Sequence, residues 1–507
     1  MAPPPRTRHS YFPEHPTFLD WFEALALATA MFALLAATAG SAGAQVQIGL
    51  NFTGRVNPPP TPPAFWPDRP DTMGAVGEQH IVELLNDGYA VYRKSDGALL
   101  ESTSTLDEFW GAAGVTPVGF TCDPRVLYDA ASQRWFAVSQ DGGGRLRWDP
   151  NNYLVAVSKS ADPTQGWTGF QIYSDPTGTT FWGDFPQLGM DAQGLYVSAS
   201  RFAVGPPGTD VYLGQSLLVF PKADLLAPIP SIANATIRSD LTPYDVGFRP
   251  QPVVNLDGTG LPETLLSGDL AILGQLQSTK IEGSIGSPVL AQNRLIPVPA
   301  TASDPFLAAQ PGPKADLTAS LGSRFSGNAV QVNGSIWATQ STWVDGRVAV
   351  RWYEIDAATD ILLQSGDLTD PILDLYYPSI AVNQFDQVVI GMSGSSEQDF
   401  VGAYAAAGET INGVTSFGDA LLLQEGHAGF EWIDPGFHGW NRWGDYSATV
   451  VDPSDPHRFW TFQEYVEAED IYGVRITELI LVPESSTKLL VISGLLGLAA
   501  RRSVAFS

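Results

Sequence analysis

One short pattern recurs along the chain, and it constrains the fold more than any other feature. Residues 123–129 (DPRVLYD) open on a start signal with Pro at the second position. They run on as an alternating apolar strand ending in Asp, turn through 130–134, and return as 135–139 (WFAVS). Residues 185–191 (FPQLGMD) and 377–383 (YPSIAVN) repeat the scheme, returning as 195–198 (LYVS) and 388–393 (VVIGMS). Weaker copies begin at Arg249 (RPQPVVN), Gly327 (GNAVQVN) and Tyr446 (YSATVVD), and a marginal one at Asp71 (DTMGAVG).

Each copy predicts a β-hairpin. Proline is tolerated at the first residues of a strand but not in its middle. Alternation turns one face toward a core, and Asp or Asn at the turn bonds its own backbone. More strand-like sequence follows, such as 153–157 (YLVAV) and 167–170 (WTGF), which makes four strands per unit. The starts lie at intervals of roughly 50 to 80 residues, the spacing of a radially repeated sheet. The expectation is an all-β chain forming a β-propeller of seven four-stranded blades, with six or eight as alternatives. Short helical segments are expected at both termini. Two β-sandwiches are the rival architecture. Segments 223–245 and 296–323 read as insertions between blades.

The ends read differently. Arg6 and Arg8, an apolar run over 24–38, and the small-residue exit Ala42-Gly43-Ala44 are the three parts of a secretory signal peptide. Cleavage after Ala44 is expected, by signal peptidase. At the other end, 482–486 (VPESS), an apolar run over 489–500 and Arg501-Arg502 follow in order. This tail resembles the PEP-CTERM sorting signal of exosortase substrates, with Ser485 where the second proline of that signal stands. The resemblance implies Pro483, Glu484, Arg501 and Arg502 as the sorting signal, an exosortase-type processing enzyme as a partner and transient membrane anchoring. It also implies export across the inner membrane to the cell surface or medium. The expected division is signal peptide 1–44, linker 45–67, propeller 68–481 and sorting tail 482–507.

Composition narrows the chemistry. The formal net charge of −27 repels phosphate backbones, so nucleic acid is not an expected partner. A single cysteine, Cys122, excludes an intrachain disulfide. No H-E-x-x-H, C-x-x-C or Gly-Lys phosphate loop is present, so no cofactor and no metal site is expected. A bound cation such as Ca2+ is the one addition an acidic surface leaves open, and 255–260 (NLDGTG) reads as a turn.

Residues 160–167 (SADPTQGW) form a loose Asp-box, a turn in which the Asp caps backbone amides and the aromatic packs between sheets. Here the body resembles the sialidase-like, BNR-repeat propellers, in architecture only. The F/Y-R-I-P segment of sialidases is absent, with 294–297 (RLIP) only an echo. Glu464 and Tyr465 are adjacent on a predicted strand and so face opposite ways.

The candidate site comes from a duplication. Trp182-Gly183-Asp184-Phe185 opens one repeat and Trp443-Gly444-Asp445-Tyr446 another. In a propeller both would lie at one mouth of the axis. Asp184 and Asp445 could then bind a cation or sugar hydroxyls, while Trp182 and Trp443 stack on a sugar ring or another flat apolar face. The alternative is that both motifs are structural. Arg125 and Arg249, early in their repeats, are placed to meet anionic groups. The expected function is a non-catalytic propeller binding an extracellular glycan or protein. A polysaccharide hydrolase or lyase using rim carboxylates is the alternative.

Overall fold

The computed structural model describes residues 45–57, 69–142, 151–176, 181–203, 211–258, 261–268, 273–301, 306–319, 324–433 and 439–482. The expected signal peptide, the sorting residues Pro483, Glu484, Arg501 and Arg502, and the expected terminal helices lie outside them.

The described residues form successive antiparallel meanders of four strands, and each recurring hairpin supplies the first two. Blade 1 runs Met73–Val76, His80–Leu85, Gly88–Arg93 and Leu99–Ser102. Blade 2 runs Cys122–Asp129, Arg134–Gln140, Asn152–Ser158 and Trp167–Tyr173. Blade 3 runs Phe181–Met190, Gly194–Ala203, Tyr212–Pro221 and Thr236–Leu241. Blade 4 holds Phe248–Pro252, Glu263–Gly268 and Gln275–Ser284, its outer edge shared by Ser287–Leu290 and Arg294–Pro297. Blade 5 runs Val330–Val332, Ser335–Val344, Arg347–Asp356 and Leu362–Leu368. Blade 6 holds Asp374–Val382, Gln387–Ser395 and Gly402–Ile411, with Val414–Phe417 and Leu421–Gln424 outside. Blade 7 runs Ala448–Val451, Arg458–Ala468 and Ile471–Val482, and takes its fourth strand from the other end of the chain, Gln45–Val56.

The meanders close into a ring. The first strands of six blades, and in blade 4 the short strand Val254–Asn255 that follows the first, reach one narrow axial cavity of about 70 Å³, lined among others by Val76, Leu127, Met190, Val254, Val330, Val382 and Val450. Each seam is hydrogen-bonded. Asp123 N donates to Asn86 Oδ1 (2.8 Å) between blades 1 and 2, and Asn151 Nδ2 donates to Gly183 O (2.7 Å) between 2 and 3. Gln251 Nε2 donates to Leu188 O (3.0 Å), and Val254 N to Ala329 O (2.8 Å). Ser326 Oγ donates to Pro378 O (2.8 Å), Ser379 and Thr449 hydroxyls pair at 2.8 Å, and Thr72 N donates to Glu464 Oε1 (3.1 Å). The protein is an all-β propeller. Gly327 has to be glycine at the seam of blades 5 and 6, because a Cβ there would stand 2.7 Å from Ser379 Cα.

Two expectations are corrected. Residues 45–56 are not linker: they pair antiparallel with Ile471–Val482, Gln45 opposite Val482 and Val46 opposite Leu481. The ring is thus sealed by a sheet built from both ends of the described chain, and the propeller starts at Gln45 rather than 68. Segment 223–245 is not only an insertion, since it contains the outer strand of blade 3, Thr236–Leu241. Residues 296–323 do depart from the repeat. Leu307–Ala308 and Leu317–Thr318 form a small sheet with Asn441–Arg442, next to blade 7.

Candidate site at the mouth of the axis

The start signal of the repeat is a β-bulge. Register slips between Cys122 and Arg125, Asp184 and Gln187, Phe248 and Gln251, and Tyr376 and Ser379. Within those slips Asp123, Phe185, Arg249 and Tyr377 have φ of 53°, 55°, 48° and 49°, and Asp71 follows with 43°. Positive φ is uncommon for residues with a side chain. Bulges bend a strand and re-aim its side chains. The inner strands run side by side down the axis, so their starts gather at one end.

What gathers there is charge. Asp445 sits among three arginines: Oδ1 accepts from Arg324 Nη2 (3.1 Å) and Arg442 Nη2 (2.5 Å), and Arg69 Nη1 stands 3.6 Å from Oδ2. Its own amide donates to Asp71 Oδ1 (2.8 Å). Burial alone would raise the Asp445 carboxyl, but Arg324, Arg442 and Arg69 outweigh it and hold the group well below the usual carboxylate range. Phe185 forms a hub: the guanidinium carbons of Arg324, Arg249 and Arg125 lie 4.4, 5.3 and 5.4 Å from its ring centre. Arg125 also lies 3.6 Å over the ring of Tyr446.

Two arginines are short of partners. Arg125 is fully buried, and its Nε and Nη2 have no hydrogen-bond acceptor. Arg249 is half-buried, and its Nε has none either. Burial, with Arg324 nearby, lowers Arg249 to about 10, which leaves it charged at neutral pH.

The acids on the other side are linked by amides. Asn86 Nδ2 donates to Asp71 Oδ2 (2.8 Å). Gln140 Nε2 donates to both Asp123 Oδ2 (3.1 Å) and Asp184 Oδ1 (2.9 Å), while its Oε1 is unpaired. Burial, then neighbouring carboxylates, push Asp123, Asp71 and Glu464 up. These upward shifts weaken the negative charge that the three acids set against the arginines.

The predicted residues divide. Asp184, Asp445, Arg125 and Arg249 belong to one cluster: Arg249 feels both Asp184 and Asp445. Asp184 and Trp182 are half-buried at the rim. Trp443 is fully buried, its Nε1 donates to Ser393 Oγ (3.1 Å), and its ring packs edge-on against Phe430 at 4.9 Å. It therefore has no free face for a sugar, and the two W-G-D copies differ in role. Arg69, Arg324 and Arg442 were not singled out in the sequence. Arg442 and Arg69 stand three and two residues before an axial Asp, a signal visible once the axis is known. Arg324 lies between the Pro- and Ala-rich stretch and the fifth repeat and carries no such mark.

The remaining motifs are structural. Asp162 Oδ1 accepts from Thr164 N (3.0 Å) and Trp167 packs against Phe109 at 5.3 Å, as the Asp-box resemblance implies. Asp257 accepts from Asn333 N (2.6 Å) and Gly334 N (2.8 Å), bridging turns. Burial pushes the Cys122 thiol up, away from reactivity. Glu464 faces the axis, whereas Tyr465 bonds Thr53 and Glu467 on the outside. Among the described residues no group of three or more His, Cys, Asp or Glu is placed to hold a metal.

No family model matches the chain, and no curated protein matches it. Solved structures do. A protein of unknown function from Dyadobacter fermentans is 12% identical, over 71% of this chain and 95% of that one, with TM-score 0.37. The sialidase of Trypanosoma rangeli is 11% identical, over 81% of this chain and 58% of its own, with TM-score 0.36. The soluble aldose sugar dehydrogenase of Escherichia coli is 11% identical, over 86% of this chain and all of that one, with TM-score 0.33.

Proposed function

We propose that this is an exported, envelope-sorted propeller that binds an extracellular ligand through an anionic group at the mouth of its axis, without turning it over. The observation that carries the reading is the set of buried guanidinium nitrogens without an acceptor, Nε and Nη2 of Arg125 and Nε of Arg249, beside the half-open rim of Trp182 and Asp184. A buried cation without an acceptor is costly, and a ligand carboxylate or sulfate would offset that cost with charge-assisted bonds. Export and sorting rest on the two terminal sequence signals.

Catalysis is the weaker reading. The phenols nearest the arginines are spoken for: Tyr446 Oη donates to Pro124 O (2.9 Å) and Tyr377 Oη to Thr318 O (3.0 Å). Burial pushes both far above the range in which a phenolate forms.

A glycan array of acidic and neutral sugars, probed with wild type, Arg249→Met and Asp184→Asn, tests the function. Acidic glycans should be retained unhydrolysed by wild type and lost by Arg249→Met. Equal retention by Arg249→Met would overturn the site, and hydrolysis would overturn the non-catalytic assignment.

A further inference from the structure

Four aromatic side chains run from the innermost strand of blade 3 outward across it and over to blade 4, where they meet the arginine centre. Trp182, Phe202 and Tyr212 are cross-strand partners on three consecutive strands, Trp182 opposite Phe202 and Phe202 opposite Tyr212. Their rings touch in sequence, at 5.2 Å and 5.7 Å between centroids, and Tyr212 continues to Phe248 of blade 4 at 5.1 Å. Phe248 in turn lies 5.3 Å from the Arg249 guanidinium carbon. All four rings are half-buried, unlike the buried aromatics of the blade cores, and Val211 beside them is 57% exposed. A continuous, partly open apolar row on a soluble surface marks a contact site.

We infer that this row is an extended binding subsite for the chain of an acidic oligosaccharide, whose anionic residue occupies the Arg125–Arg249 centre. The inference rests on the proposed anion reading of that centre. Three features select a sugar chain. The row is continuous with the arginine centre. Its rings offer apolar faces and edges on which the C–H faces of sugar rings pack. Trp182 Nε1 is buried without a partner, a donor waiting for a hydroxyl or ring oxygen. An acidic peptide would be drawn by the same charge, but its extended backbone carries an N–H at nearly every residue, and Trp182, Phe202 and Phe248 have no side-chain acceptor for them.

Isothermal titration of the full chain with galacturonic acid and its oligomers of two to six residues tests this, with glutamate oligopeptides as the peptide arm. Affinity should rise about tenfold or more from monomer to tetramer, each tenfold being about 1.4 kcal/mol. Phe202→Ala should flatten that rise to about threefold or less while monomer affinity holds. Phe202→Leu is the variant to use if Phe202→Ala does not fold. Monomer binding without growth on lengthening overturns the row and leaves the centre standing. No binding of any uronate overturns the centre and the row together. An equal rise with the peptides overturns the sugar assignment.

Discussion

Arg125, from the inner strand of blade 2, lies 3.6 Å over the ring of Tyr446, from blade 7, with no carboxylate bonded to it. The stack is what remains for a guanidinium held in a dry site, with Asp123 and Asp71 near it but not bonded to it. Replacing a buried charge by an apolar side chain of similar volume is often neutral or stabilising. Arg125→Met should therefore unfold within about 1 kcal/mol of wild type, or later, in a urea titration. Its affinity for acidic ligands should fall by about tenfold or more.

Asp445 is the opposite case. It is the shared acceptor of Arg324 and Arg442, with Arg69 beside it, and its loss leaves buried cations facing one another. Asp445→Ala should cost about 3–5 kcal/mol. Formate, small enough to replace the missing carboxylate, should restore part of the melting temperature of the variant and leave wild type unchanged. A variant as stable as wild type would contradict the cage.

Stability should fall as the medium becomes less acidic. Glu83 is buried between blade 1 and the closing strand, where Tyr92 Oη (2.7 Å) and Arg55 N (3.0 Å) donate to it. Burial raises it to about 7 from the ordinary 4.5 of a glutamate. A raised folded-state value means the folded protein binds the proton more tightly than the unfolded chain. The contribution is full below about pH 4.5 and is lost as pH rises through about 7. Asp123, Asp71 and Glu464 shift the same way, chiefly through burial. Asp445, held low, gives a contribution that only strong acid removes. Unfolding midpoints from pH 4 to 8 should decline, and Glu83→Gln should flatten part of the decline.

The closing strand should decide whether the ring holds. Arg55 within it donates from Nε to Asp87 Oδ1 (3.2 Å), from Nη2 to Asp87 O (3.1 Å) and from Nη1 to Thr103 O (2.9 Å), tying it to blade 1. Arg55→Ala strands the buried Asp87 and should cost about 3 kcal/mol. Deleting residues 45–56 should abolish a single cooperative unfolding transition and expose an unpaired strand edge. The peptide 45–56 added in trans should restore it.

Local chemistry made much of the fold legible. Pro at the second position marked inner-strand starts at Asp123, Phe185, Arg249 and Tyr377 because a bulged first residue leaves no ladder bond for proline to break. Gln45–Val56 was not legible: its partner strand lies more than 400 residues away, and its own alternation is blurred by polar residues facing outward. Arg125 and Arg249 were found because they ride on the repeat. Arg324 was not, since a side chain delivered by a connecting segment has no periodic position to betray it. The W-G-D copies looked equivalent, and only packing against Phe430 and Ser393 separates Trp443 from Trp182.

The convergence of distant segments on one axis is tested most directly by a double-mutant cycle between Arg324 and Asp445, 121 residues apart in sequence. Urea unfolding of wild type, Arg324→Met, Asp445→Ala and the double variant should give a coupling free energy of about 1–3 kcal/mol. Additivity within about 0.5 kcal/mol would show that the two side chains do not meet, and the charged centre would fall with it.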